Sequence, residues 1–370
     1  MSPLPHVASV PFGRSESYTV GPLDRAVKLA TTVLTMKVDG AIGGLEHVGA
    51  TAAAQEARGY DGLFSAETSH DPFFPLLLAA GETEKIELGT AIAVAFARNP
   101  MTLAQTSWDL QAMSKGRFIL GLGSQIKPHI TKRFSMPWSH PSARMREMIL
   151  AIRAIWATWN DGTKLDFRGD FYSHTLMTPF FNPGPNPYGD ARIILAGVGP
   201  MMTEVAGEVC DGFICHGFTT ERYAREVTLP ALRKGREKAG KSMDGFELSG
   251  PMFLVMGRNE EELETAAKGV RGQIAFYGST PAYRPVLEMH GWGGLQDELN
   301  ALSKQGRWAE MGDLIDDEVL HTFAVVGTPE EAVRGLRDRW GDILHRISFY
   351  APYATDPDEL SGLVSILKGT

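Results

Sequence analysis

Glu67 and His70 lie three residues apart in Glu67-Thr-Ser-His-Asp71, and a histidine beside a carboxylate can give or take a proton near neutral pH. His70 is the expected proton-transfer residue, with Glu67 orienting or replacing it. The competing reading is a histidine that only hydrogen-bonds its own loop. Gly197-Val-Gly-Pro-Met-Met-Thr203 offers different chemistry. A glycine lets the backbone approach a ligand, and Pro200 can open a helix whose free N–H groups favour an anion such as a cofactor phosphate. The alternative there is a plain tight turn. His129 and His216 are further candidates. The histidines show no His-x-x-x-His or other ligand spacing, so no metal site is expected. The chain has no Gly-x-Ser-x-Gly elbow, no Gly-x-Gly-x-x-Gly after the first strand and no P-loop, which argues against a serine nucleophile, a Rossmann NAD site and P-loop chemistry.

These residues need a scaffold, and the chain alternates strand and helix signals. Strands are expected at Val27–Val33, Leu63–Ala66, Ile86–Ile92, Arg117–Gly121, Arg192–Ala196, Gly212–Cys215, Phe246–Met256 and Ile347–Tyr350. Helical segments lie between them, including a spacing that begins at Ile42 and the stretches Pro75–Ala80, Pro100–Met113, Pro200–Val209 and Glu221–Ala239. The last helix starts at Thr328, with Pro329 at its first position and Glu331 completing a capping box. Eight strands with alternating helices predict an α/β fold, a (β/α)8 TIM barrel, over a doubly wound open sheet. Every candidate above then falls just past the carboxyl end of a strand, where such barrels build their sites. Two stretches break the rhythm, Gly121–His140 and a helical insertion at about 259–320. Both are expected over the C-terminal face of the barrel.

Composition narrows the function classes. The 370 residues are 43% hydrophobic and 22% charged, with a formal net charge of -8 and no lysine or arginine block. A nucleic-acid or anionic-membrane partner is therefore disfavoured, and no apolar run reaches the roughly 20 residues of a membrane span. Residues 1–25 read as a flexible extension: Met1 to Gly21 is rich in Pro, Ser and Gly and lacks the apolar run of a secretory signal. Residues 26–368 read as one barrel domain. Cys210 and Cys215 lie in apolar sequence, outside a Cys-x-x-Cys spacing, as expected of core thiols in a reducing cytoplasm.

Several stretches, taken in order, resemble the luciferase-like monooxygenase superfamily, and within it the oxidoreductases that use the deazaflavin coenzyme F420. They are Leu88-Gly-Thr-Ala-Ile, Gly116-Arg-Phe-Ile-Leu-Gly-Leu-Gly-Ser, Ala196-Gly-Val-Gly-Pro, Ala206-Gly-Glu-Val-Cys-Asp-Gly-Phe and Val326-Gly-Thr-Pro-Glu-Glu-Ala. The resemblance implies a strand-3 bulge with a non-proline cis peptide near Ala91-Ile92, backing the deazaflavin ring. It implies that Gly123, Ser124 and Gln125 lie near the ring and ribityl chain. Gly197, Val198, Gly199, Pro200, Met201 and Met202 match the segment that holds the cofactor phosphate, and His216 joins the cofactor-binding candidates. A homodimer is implied by the same analogy. Deazaflavin-dependent glucose-6-phosphate dehydrogenases hold the sugar phosphate with a lysine and an arginine; the approximate positions here are Thr219 and Thr322, which disfavours a phosphosugar. Phe276, Tyr277, Tyr283 and Trp292 point instead to an apolar or aromatic small molecule, or to ordinary core.

The resulting expectation is a cytoplasmic F420-dependent oxidoreductase moving a hydride between the deazaflavin C5 and an organic substrate. An FMN-dependent monooxygenase on the same fold is the alternative. A cofactor-binding protein without turnover is the third.

Overall fold

The computed structural model describes residues 36–368. The extension expected over 1–25 and the strand expected at Val27–Val33 lie outside the described residues. Among those described, eight parallel strands close into a barrel: β1 (Lys37–Ala41), β2 (Gly62–Ser65), β3 (Glu87–Thr90), β4 (Phe118–Gly123), β5 (Arg192–Gly197), β6 (Gly212–Cys215), β7 (Glu247–Met256) and β8 (Arg346–Tyr350). Each pairs in parallel with the next, and β8 returns to β1 through Lys37–Arg346, Val38–Ile347 and Asp39–Ser348. The first barrel strand is thus Lys37–Ala41, in a stretch the sequence reading left without a strand.

The reason is charge. Lys37-Val-Asp-Gly-Ala reads as polar, yet Lys37 and Asp39 face a charged layer at the amino end of the barrel. Lys37 Nζ lies 3.0 Å from Glu87 and 3.2 Å from Glu247. Arg192 contacts both glutamates, 3.0 Å from Glu247. Lys37, Glu87, Arg192 and Glu247 come from β1, β3, β5 and β7, a layer of four from alternate strands as barrel geometry requires. Above it the fully buried Arg346 donates to both Asp39 oxygens, at 2.8 and 2.6 Å, and to Glu87. These arginine and lysine charges hold Glu87 down to about 2, whereas burial raises Asp39.

Alternate residues then fill the interior with Phe64, Ile119, Ile194 and Ile214. The opposite faces of the strands pack on surrounding helices: α1 (Val48–Ala57), α2 (Phe73–Glu82), α3 (Pro100–Met113), α4 (Pro141–Asp161), α5 (Pro200–Val209), α6 (Leu229–Lys238), α7 (Glu260–Gly278) and α8 (Pro329–Trp340). The long helix α4 has no counterpart in the sequence reading, although Met145, Met148, Ile149, Ile152, Ile155, Trp156 and Trp159 recur at helical spacing and are all buried. The expected capping box at Thr328 and Glu331 is present.

Strand β7 runs past the barrel rim. Its last four residues pair with a further strand, Ala324–Gly327, from Phe253–Ala324 to Met256–Gly327. On this extension sits the helical insertion expected at about 259–320. It builds a hydrophobic core of its own from α7, Gly293–Lys304 and Asp317–Phe323, joined by Phe218, Tyr223 and Phe253. No described helix is long and apolar enough to cross a membrane.

Candidate functional site

At the carboxyl end of β3 the chain leaves the ladder. Gly89 pairs with Ile119 and Ala93 with Leu122, so four steps on one strand match three on its neighbour. This is a bulge, and the Ala91-Ile92 peptide within it is cis, where the resemblance placed it. Thr90 seals the entry: its Oγ1 accepts the Gly121 N–H at 2.9 Å and donates to the Gly121 carbonyl at 2.6 Å. Gly121 has no alternative here, because a Cβ would lie 1.7 Å from the Thr90 carbonyl oxygen. Ala91 and Ile92 close over Ile119, Ile194 and Ile214 and make an apolar floor with Ala196. Gly123 lies against Ile92, with 2.7 Å from a built Cβ to the Ile92 side chain. Ser124 and Gln125 turn the chain away from β4; Gln125 adopts a positive φ of 57°, and its side chain accepts the Ile126 N–H at 2.9 Å.

On the neighbouring strand, Leu195 pairs with Leu122, so Ala196, one residue short of the end of β5, lies beside Gly123 at the end of β4. Gly197, Val198 and Gly199 follow, half-buried, and α5 starts at Pro200. No side chain caps α5. The first N–H groups of a helix have no partner within it, and Pro200 contributes none, so those of Met201 and Met202 carry the positive end of the helix. Gly199 has open space where a Cβ would stand. Tyr223 donates from its hydroxyl to the Val198 carbonyl at 3.3 Å and braces the loop.

His216 occupies the inward register two residues beyond Ile214. Its Nδ1 accepts the Phe218 N–H at 2.9 Å, which leaves Nε2 to carry the proton of the neutral ring; Nε2 is 3.3 Å from the Tyr283 hydroxyl. The rings of Tyr277 and Tyr283 stand 4.6 and 4.7 Å from the imidazole. Burial among them pushes His216 down to about 4 and Tyr283 up to about 12. Tyr350, at the end of β8, shares a 2.7 Å hydroxyl contact with Tyr277 and stacks on Phe253 at 4.7 Å. Neither Tyr350 nor Phe218 was among the sequence candidates. The period of two along β8 from Arg346 places Tyr350 inward and was the signal for it.

Glu67 and His70 are not joined. The Glu67 carboxylate, almost fully buried, accepts the Val94 N–H at 2.7 Å and pairs with Arg98 at 2.5 Å, while its backbone N–H donates to the Ile92 carbonyl at 3.1 Å. Glu67 therefore holds the bulge. Arg98 also takes Asp71 at 2.8 Å. His70 and His129 are exposed on their loops. Of the insertion aromatics, Tyr277 and Tyr283 surround His216, Trp292 stacks on His290 at 4.8 Å, and Phe276 lies half-exposed beside Trp308. Thr219 is buried beside Phe218, and Thr322 donates within its own helix to the Glu318 carbonyl at 2.8 Å.

Residues 26–344 match the family model described as luciferase-like monooxygenase. An uncharacterized protein of Mycobacterium tuberculosis is 54% identical over 313 residues, 84% of this chain and 92% of that protein. The F420-dependent glucose-6-phosphate dehydrogenase of Mycolicibacterium gilvum is 31% identical over 293 residues, 77% of this chain and 80% of the relative. The coenzyme F420 dependent tetrahydromethanopterin reductase of Methanopyrus kandleri shares the fold with a TM-score of 0.73 at 18% identity, covering 90% of this chain and 97% of its own.

Proposed function

Because the chain belongs to the luciferase-like monooxygenase family, we propose that it is an oxidoreductase that moves a hydride between coenzyme F420 and an apolar organic substrate other than a phosphosugar. The observation that carries this reading is the adjacency, on β4 and β5, of the apolar floor and the uncapped start of α5. A flat, uncharged ring fits the first and a phosphate fits the second. The residues present fit the cofactor: Gly199 leaves the helix start open to close approach, and Gly123, with no Cβ, makes room for the Ile92 side chain in the floor.

Ala91, Ile92 and Gly123 would support the ring, Ser124 and Gln125 would flank its side chain, and Gly197 to Met202 would hold the phosphate. When bound, the deazaflavin supplies the carbon that gives or accepts the hydride. His216 holds its proton on Nε2 toward the cage of Tyr277 and Tyr283, where it can donate to a substrate oxygen. His70 stands free on the β2 loop as the residue that exchanges a proton with solvent. Glu67 positions the bulge through Val94 and Ile92. The aromatic side chains over the mouth exclude water. The lack of a charged side chain at Thr219 and Thr322 supports a substrate without a phosphate.

Titrating the purified protein separately with F420 and FMN tests the reading. Saturable F420 binding with negligible FMN binding is expected; tight FMN binding without F420 binding overturns it in favour of an FMN monooxygenase.

The assembly proposed is a homodimer. Helix α2 exposes Phe74, Leu77 and Leu78, 59%, 40% and 47% accessible, as one stripe at helical spacing. A second copy supplies the apolar surface that covers it.

A further inference from the structure

Tyr283 carries a hydroxyl hydrogen that the protein leaves unused. Nδ1 of His216 accepts the Phe218 N–H, so the proton of the neutral ring sits on Nε2. Nε2 therefore donates across 3.3 Å to the Tyr283 oxygen, and the Tyr283 O–H must point elsewhere. Among the described residues it finds no acceptor. The Tyr277 and Tyr350 hydroxyls, by contrast, bind each other at 2.7 Å. Tyr283 ends the short turn Pro281–Tyr283 of the insertion, and its ring stacks on Phe218 at 5.8 Å. Arg284, the next residue, is turned away to Glu288 and Asp297. The phenol thus faces His216, Tyr277 and Phe218, all uncharged near neutral pH. This cage adjoins the apolar floor. Ile214, two residues before His216, belongs to the floor, and Cys215 pairs with Gly197 on the next strand. Gly197, Val198, His216 and Phe218 line one small cavity there.

We propose that Tyr283 is the catalytic acid that hands its hydroxyl proton to the substrate, and that the substrate therefore presents a neutral carbonyl oxygen, or a hydroxyl in the reverse direction. The proposal rests on the F420 reading above and places Tyr283 between His216 and the substrate. A neutral imidazole with Nδ1 occupied can lend a hydrogen bond from Nε2, but losing that proton would leave an imidazolate. The phenol is the better acid of the two. Burial pushes it up to about 12, so it keeps its proton at neutral pH until the substrate oxygen takes it. In reduction, the carbonyl carbon gains the hydride, with two electrons from the reduced cofactor, and the carbonyl oxygen gains the Tyr283 proton. The electron pair of the broken O–H bond stays on Tyr283 as a phenolate. The His216 Nε2–H stabilises that charge until solvent returns a proton. Oxidation of the alcohol runs the same transfers in reverse. A carboxylate or ammonium substrate would find no countercharge in the cage to offset its desolvation.

The first test is binding. The full chain saturated with oxidised F420 is titrated with aryl and alkyl ketones, each against the isostere in which a methylene replaces the oxygen; acetophenone and α-methylstyrene are one such pair. The best-bound ketone should exceed its isostere by about fivefold in the wild type, the worth of one hydrogen bond. Tyr283→Phe should bring the two to parity while F420 affinity changes by less than about twofold, because the ring is retained. The second test is turnover of the same ketones with reduced F420. Tyr283→Phe should lower kcat by about 10²–10⁴-fold and raise KM only about fivefold. Tyr277→Phe keeps the His216–Tyr283 pair and should lose less. No ketone preferred over its isostere, no ketone reduced, an undiminished preference in Tyr283→Phe or an unchanged kcat each overturns the proposal. A larger loss of kcat in Tyr277→Phe than in Tyr283→Phe also overturns it, by moving the acid to the other hydroxyl pair. Failure of the wild type to bind F420 is a separate result, which removes the cofactor reading and this proposal with it.

Discussion

The Phe218 N–H donates to Nδ1 of His216 at 2.9 Å, and this bond fixes which nitrogen of the imidazole carries the proton. Burial pushes the ring down to about 4, so it stays neutral wherever the enzyme would work. In the unfolded chain the same ring titrates near 6.5. Above that value both states are neutral and stability is complete. As the pH falls from about 6.5 to about 4 only the unfolded state gains the proton, and His216 costs the fold on the order of 3 kcal/mol. Urea unfolding at pH 7 and pH 4.5 should show this loss, and His216→Gln should abolish its part of it. An unchanged pH dependence in the variant removes His216 from the account.

Gly199 should trade stability for binding. A serine there can cap α5 by accepting a first-turn N–H, in space that the structure leaves open. Gly199→Ser should raise stability by a few tenths of a kcal/mol, about 0.3. It should also weaken F420 binding, because the serine occupies the donors proposed for the phosphate. Thermal unfolding and cofactor titration on the same sample check both signs.

Glu67 and His70 should separate cleanly. Glu67→Ala leaves the Val94 N–H without its acceptor and Arg98 with Asp71 as its one remaining carboxylate, at a cost of about 2–4 kcal/mol. Glu67→Gln keeps an acceptor for Val94 and should lose less. His70→Asn touches no contact of the fold and should leave urea stability within about 0.5 kcal/mol. In a screen of alcohols, carbonyls and activated alkenes it should lower kcat. Wild-type turnover by His70→Asn on a substrate that the parent accepts rejects His70 as the proton carrier.

The stripe on α2 predicts the assembly. Leu77→Glu with Leu78→Lys puts charges at the centre of the exposed apolar face. Light scattering should find a dimer for the wild type and a monomer for the variant, with the circular dichroism of the barrel retained. A wild-type monomer at micromolar concentration contradicts the homodimer.

Arg346 anchors the closed end of the barrel. Arg346→Met removes the donor to both Asp39 oxygens and should cost about 3–5 kcal/mol in urea unfolding. Adding Asp39→Leu removes the stranded carboxylate and should recover most of that loss. No recovery in the double variant would mean that the cost lies in packing against Phe64 and not in the charge.

The sequence by itself determined the barrel and the place of its mouth. Strand and helix periods are local properties, so Gly212–Cys215, Pro100–Met113, Pro200–Val209 and the Thr328 cap are legible from neighbouring residues. The family stretches likewise located the Ala91-Ile92 bulge. Tertiary structure alone decided what charge and distance control. Lys37–Ala41 is a strand because Glu87, Arg346 and Glu247, far along the chain, meet its Lys37 and Asp39. Glu67 looked like the partner of a histidine three residues away, but Arg98 and Val94 took its carboxylate across the bulge. His216 gained its locked tautomer and low proton affinity from rings on the insertion, about sixty residues later. Local spacing reports which backbone a segment prefers; only the closed fold decides which polar groups lose water together, and that sets their partners and their charge.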